Sequence, residues 1–204
     1  MVNVNAPFGL RAVGELGSNI QNGGTTEYRI NPGLAAAAGV GPIFKGDIVQ
    51  ILANGTIQQS AAGNADCLGV FNGCFYDDPT TQKPTWSNYY PGGITPTGGG
   101  LISAFVYDDP NKLFEVQGNG ILAVASGVGK NTDIVVTQGN TINGQSASQL
   151  NVLTGNGGGV PAIATAQCRI VGISRDPENS DPLTANANWI VRINEQVYLR
   201  AAGV

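Results

Sequence analysis

The apolar residues of this 204-residue chain come in short runs rich in Val, Ile, Phe and Tyr, each cut off by Gly, Asn, Asp or Pro. That punctuation marks strands separated by turns, and no run has the length or period of a long helix. In Glu27-Tyr28-Arg29-Ile30, Tyr28 and Ile30 share one face while Glu27 and Arg29 take the other, the pattern of a half-buried strand. Phe114 and Val116 alternate in the same way with Glu115 and Gln117. Trp189, Val191 and Ile193 point together, opposite Arg192 and Asn194, and give a strand with a heavy aromatic anchor. Further strands are expected at Ile48–Leu52, Leu68–Phe75, Ile102–Tyr107, Ile134–Thr137 and Arg169–Ile173. Asn54-Gly55 and Asn119-Gly120 are hairpin signals, because both residue types tolerate positive φ. The helix-like patch Leu34–Ala38 is barely one turn and would be marginal alone. Many short strands at this spacing predict an all-β barrel or sandwich rather than a βαβ protein.

Two regions depart from the strand pattern. Residues 1–24 carry sparse apolar text punctuated by Gly9, Gly14, Gly17, Gly23 and Gly24, and are expected to form an extended N-terminal arm ahead of a β-rich domain at 25–204. Within that domain, residues of about 77–100 hold Pro79, Pro84, Pro91 and Pro96 together with Trp86, Tyr89 and Tyr90. This stretch is expected to be an exposed loop insertion whose aromatics offer contact area at small entropic cost, or fold back to cap the domain. The chain is long enough to bury a real core, and its 30 glycines, about twice the usual ~7%, make it turn-rich.

Charge and residue inventory exclude several function classes. Lys and Arg number 10 against 14 Asp and Glu, so there is no basic field for phosphates and direct nucleic-acid binding is disfavoured. The longest apolar stretches, around Leu34–Val40 and Ile121–Val128, fall well short of the roughly 20 residues of a membrane helix. Cys67, Cys74 and Cys168 form an odd set, and the opening Met-Val-Asn-Val-Asn-Ala-Pro lacks the basic and apolar regions of a signal peptide. The cysteines are therefore expected to be reduced, buried hydrophobes. With no histidine in the chain, the commonest general base and metal ligand are both missing.

Paired carboxylates are the remaining route to catalysis or calcium binding. The tetrapeptides Tyr76-Asp77-Asp78-Pro79 and Tyr107-Asp108-Asp109-Pro110 repeat one pattern, and Asp176-Pro177-Glu178 with Asp181 adds a third acidic group. Asp before Pro at a strand end is also ordinary turn chemistry, which is the reading preferred here. Gly127-Val128-Gly129-Lys130-Asn131-Thr132 fails the phosphate-loop pattern at Val124 and at Asn131. Asn54-Gly55-Thr56 fits a glycosylation sequon, which means little without a secretory signal. No catalytic residue, cofactor or metal site is implied.

The opening Ala6-Pro7-Phe8-Gly9-Leu10-Arg11-Ala12-Val13-Gly14, followed by Leu16-Gly17-Ser18, resembles the starts of small virion proteins of tailed bacteriophages. Lys45-Gly46-Asp47-Ile48-Val49-Gln50, Asn54-Gly55-Thr56-Ile57 and Cys67-Leu68-Gly69-Val70-Phe71-Asn72-Gly73-Cys74 are similar to the β-rich module of phage capsid cement, or decoration, proteins. Phe105 to Pro110, Leu113 to Gln117, Val128 to Asp133 and Ile193-Asn194 continue the likeness over most of the chain. Relatives often carry a His soon after the Ile-Asn pair, where this chain has Gln196.

The resemblance implies a non-enzymatic protein, often a homotrimer, that binds major capsid proteins on the outer surface of the virion and clamps neighbouring capsomers. On this reading the arm, anchored by Phe8 and Leu10, lies on a neighbouring subunit or adds a strand to its sheet. Candidate interface residues are Pro7, Phe8, Leu10, Arg11, Trp86, Tyr89 and Tyr90. The alternatives are a glycan- or receptor-binding module of a tail or head fibre that uses Trp86, Tyr89 and Tyr90, and a carboxylate enzyme whose two Asp pairs would have to face one cleft.

Overall fold

The computed structural model describes residues 3–18, 23–30, 41–152 and 164–200. Its strands in chain order are β1 (Arg11–Glu15), β2 (Thr26–Ile30), β3 (Ile43–Phe44), β4 (Ile48–Ile51), β5 (Ile57–Gln59) and β6 (Cys67–Asp77). After these come β7 (Pro84–Ser87), β8 (Tyr89–Tyr90), β9 (Ile102–Tyr107), β10 (Lys112–Gln117) and β11 (Asn131–Thr132). The series ends with β12 (Ile134–Val135), β13 (Gln149–Leu150), β14 (Cys168–Ile173) and β15 (Asn188–Ile193). The chain is all-β, as its sequence predicts. One antiparallel sheet runs β1-β10-β15-β14-β11, and a second runs β2-β9-β6-β4-β5, with β7 beside the far half of β6. Among the described residues no helix is long and apolar enough to cross a membrane.

The two sheets pack through a shared core. Phe114 and Val116 of β10, Trp189, Val191 and Ile193 of β15, and Cys168 and Ile170 of β14 meet Ile48, Cys67 and Val70 of the second sheet. The apolar residues of the period-2 patterns in β10 and β15 therefore face inward together, as alternation demands. Each large side chain sealed here contributes about 1.5–3 kcal/mol. A second core forms on the other face of the second sheet, from Ile30, Val49, Ile57, Leu68, Phe71, Cys74, Ile102, Ala104 and Val106, closed by Ile43 and Tyr90 of the β3–β8 ribbon. Strand β6 is thus buried on both faces over its first half and alternates only over its second. All three cysteines are buried and unpaired.

Several expectations need correction. Residues 3–15 are no free arm: β1 pairs with β10, and Leu10 is 3% exposed within the shared core. The residues preceding β1 are held by a buried polar seam on the outer face of the first sheet. Glu115 and Gln117, which alternation would place in water, are 4% and 1% exposed. Gln117 Oε1 accepts from the Ala6 N–H and its Nε2 donates to the Val4 carbonyl. Asn179 Nδ2 donates to that carbonyl too, while Asn179 Oδ1 accepts from the Val4 N–H. Asn3 Nδ2 donates to the carbonyls of Asp181 and Ala185. Buried polar groups persist where they are hydrogen-bonded, so this seam straps the N-terminal segment to its own chain.

The stretch 77–100 is likewise not a plain loop, since β7 pairs with β6 and β8 with β3. The Asn54-Gly55 hairpin forms between β4 and β5, with Gly55 at positive φ. Asn119-Gly120 instead ends β10, because the Asn119 N–H is taken by the Leu150 carbonyl and its Oδ1 by the Val152 N–H. Of the strand expected at Ile134–Thr137 only Ile134–Val135 is paired. The patch Leu34–Ala38 lies outside the described residues.

Candidate functional site: a polar groove beside an aromatic ledge

A groove of about 500 Å³ lies where the N-terminal segment meets the turn between β3 and β4. Its walls include Phe8, Arg11, Lys45, Asn72, Asn88, Tyr107, Asn143 and Gln145. Two glycines make the junction possible. Gly9 and Gly46 both have positive φ, and a Cβ on Gly46 would stand 2.9 Å from the Phe8 carbonyl oxygen. With that space left open, the Leu10 N–H donates to the Gly46 carbonyl at 2.8 Å, and the Gly46 N–H donates to the Phe71 carbonyl at 2.8 Å.

Asp47 buttresses the same turn from below. Its carboxylate accepts from the Phe44 N–H at 2.9 Å, Gln59 Nε2 at 2.8 Å, and the hydroxyls of Ser146 and Ser148. Burial pushes the Asp47 carboxyl above the usual carboxylate range, and the four donors act against that push. On the groove wall, Arg11 donates through Nε and its terminal nitrogen to Glu115 Oε2, and its guanidinium lies 4.7 Å over the Phe8 ring. The Lys45 ammonium and the carboxamides of Asn72 and Asn88 line the groove and have no side-chain hydrogen-bonding partner among the described residues.

An aromatic ledge borders the groove. Trp86 is opposite Phe75 across the β6–β7 pair, and the two are 49% and 43% exposed. The Trp86 indole crosses Gly73 and packs on Phe105 at 5.2 Å between centroids. Phe105 and Tyr107 lie two residues apart on one face of β9, so the ledge leads along that strand into the groove. This is the same face of the second sheet that the first sheet covers around Val70 and leaves bare around Phe75.

The sequence-predicted candidates therefore divide. Phe8, Leu10 and Arg11 line the groove, and Trp86 forms the ledge. Pro7 is half-buried beside them in sequence. Leu10 reaches the groove with only 3% of its surface and otherwise belongs to the core, Tyr90 is fully buried, and Tyr89 is half-buried, stacked on Phe44 at 5.3 Å. Lys45, Asn72, Asn88, Phe105 and Tyr107 carried no site signal in the sequence, since only register and chain crossing bring them together. A free carboxamide beside a strand is visible only in three dimensions.

The two Tyr-Asp-Asp-Pro segments do not share a cleft. Tyr107 is paired with Val70, seven residues along β6 from Asp77, which separates the Asp pairs by roughly 20 Å. Each behaves as a turn: Asp78 Oδ1 accepts the N–H groups of Thr80 and Thr81, and Asp109 Oδ1 accepts that of Asn111. These backbone donors hold the Asp78 carboxyl below the usual range. Among the described residues no group of three or more Cys, Asp or Glu side chains could hold a metal ion.

Comparison with protein-family models, with curated proteins and with solved structures finds no match to this chain.

Proposed function

We propose that this chain is a structural virion protein that binds the outer surface of a bacteriophage capsid and clamps neighbouring major capsid proteins. The observation that carries this reading is where the sequence resemblance falls. Its segments overlap β1, β4, β6, β9, β10 and β11 and the last residue of β15, together with the β4–β5 turn, and so run through both sheets. Apolar side chains on separate loops suit a clamp: Ile142 and Leu183 are 94% and 71% exposed, and Leu16 with Val128 borders a shallow furrow. A subunit with several modest contact surfaces gains avidity by engaging more than one neighbour, and binding only the assembled lattice stabilises that lattice by mass action.

The strapped N-terminal segment changes how attachment must be tested. Deleting residues 1–20 would remove β1 and Leu10 from the core, so loss of attachment would report misfolding as readily as a lost contact. Quantitative mass spectrometry of purified virions, relative to the major capsid protein, tests the role directly. Near-stoichiometric abundance is expected, because only a component repeated over the shell reaches it. A few copies per particle would move the protein to a tail or fibre, and absence from the particle would end the virion reading.

A further inference from the structure

We propose that the groove and its aromatic ledge form a binding site for an oligosaccharide, an inference that goes beyond capsid binding and does not depend on it. A pyranose ring presents an apolar C–H face and a rim of hydroxyls that both donate and accept. Its complement is an accessible aromatic face beside groups of mixed hydrogen-bonding capacity. The ledge supplies the first element. Trp86 is half exposed yet held in place by Phe105 beneath it and by the space over Gly73, so little side-chain entropy is lost when a ring stacks on it.

The groove supplies the second element. Asn72, next to Gly73, and Asn88, two residues beyond Trp86, both line it, and each carboxamide offers two donors and an acceptor oxygen. Neither carboxamide is engaged among the described residues, so binding there breaks no hydrogen bond between them. Tyr107 extends the aromatic surface from Phe105 into the groove floor. The volume of about 500 Å³ lies within the usual range for small-ligand sites, roughly 300–1,000 Å³, and accommodates a short saccharide.

Electrostatics separate this ligand from a single-stranded nucleic acid, which also stacks on aromatics but needs a cationic track for its phosphates. Arg11 is already committed to Glu115, which leaves Lys45 as the unpaired cation among the described lining residues. One ammonium is enough to hydrogen-bond sugar hydroxyls and too little to follow a phosphate backbone.

The test is an array of immobilised hexose-, N-acetylhexosamine- and uronate-containing oligosaccharides, with single-stranded oligonucleotides printed beside them. The strongest saccharide is then titrated in solution. Trp189 is fully buried, so quenching or a spectral shift on binding should come from Trp86. Saturable binding is expected, weakened at least tenfold by Trp86→Ala and several-fold by Asn88→Ala, with circular dichroism and thermal midpoint near wild type for both exposed-site variants. No saccharide bound, binding of oligonucleotides instead, or unchanged affinity in Trp86→Ala would each overturn the proposal.

Discussion

Trp86 and Phe105 sit on strands that never pair, on opposite sides of β6, and their rings meet because the residue between them is Gly73. A Cβ at that position would stand 2.5 Å from the Trp86 ring and 3.0 Å from the Ser87 carbonyl oxygen. Gly73→Val should therefore displace the indole and cost about 1–3 kcal/mol, the usual range for overpacking. A red-shifted Trp86 emission together with a lowered denaturation midpoint would register both effects. Unchanged emission would show that the ledge does not depend on Gly73.

The Glu115 carboxylate ties three chain segments together: Arg11 on β1, Ser174 Oγ, and Asn188 Nδ2. Replacing it with Ala leaves the Ser174 hydroxyl without its acceptor in a buried setting, while Asn188 Nδ2 keeps only the Asp176 carboxylate. The expected loss is about 2–4 kcal/mol, since stranded buried donors cost more than the bond itself contributes. Chemical denaturation measures the loss, and hydrogen exchange should show β1 amides released ahead of those in β15.

Removing the polar strap affects the N-terminal segment more than the core. Asn179→Ala deletes both hydrogen bonds to Val4 and the one to the Asn186 carbonyl. A destabilisation of about 1–3 kcal/mol is expected, with proteolytic cleavage before Leu10 appearing under conditions where wild type resists. Equal protease resistance would mean that Asn3 and Gln117 hold the segment by themselves.

Asp47 predicts a pH signature. Its folded-state pKa is raised, chiefly by burial, so folding takes up a proton in the window between the ordinary carboxylate value, about 3.9, and the raised one. In that window the unfolded state binds fewer protons than the native state, and this group's contribution to stability falls as pH rises. Asp47→Asn should be less stable overall, because one carboxylate oxygen that now accepts two hydrogen bonds is replaced by a donor. The stability gap between wild type and Asp47→Asn should change with pH across that window and become flat above it. Urea titrations at a series of pH values test this, and a gap constant throughout would contradict the assigned shift.

The thiols should be silent in the native protein. Burial pushes Cys67 up to about 11 and Cys74 up to about 12, and raises Cys168 as well, so almost no thiolate exists at neutral pH. An Ellman titration should find no fast-reacting thiol in the folded chain and all 3 after denaturation. A rapid native reaction would place one cysteine at the surface.

Local alternation was enough to read most of the fold from residues. Tyr28 with Ile30, Phe114 with Val116, and Trp189 with Val191 and Ile193 each announced a strand and its inward face, and Asn54-Gly55 announced its hairpin. Alternation failed at Glu115 and Gln117, where polar residues on the outward face are buried under a segment more than a hundred positions away. Nothing local distinguishes a carboxamide facing water from one holding a distant carbonyl. For the same reason residues 1–24 read as an arm: hydrogen bonds to Asn179 and Gln117 leave no periodicity in the text they strap down.

The sequence by itself determined the all-β class, the strands with a period of two, and the turn roles of Asp78 and Asp109, because each depends on neighbours within a few residues. Tertiary structure alone decided which strands share a sheet, that β6 is covered on both faces, and that Lys45, Asn72, Asn88 and Tyr107 line one groove beside Trp86. Those outcomes rest on register and on the packing of one sheet over only part of another. Register is settled by the total apolar area that all strands bury together, a sum to which no single stretch of sequence holds the key.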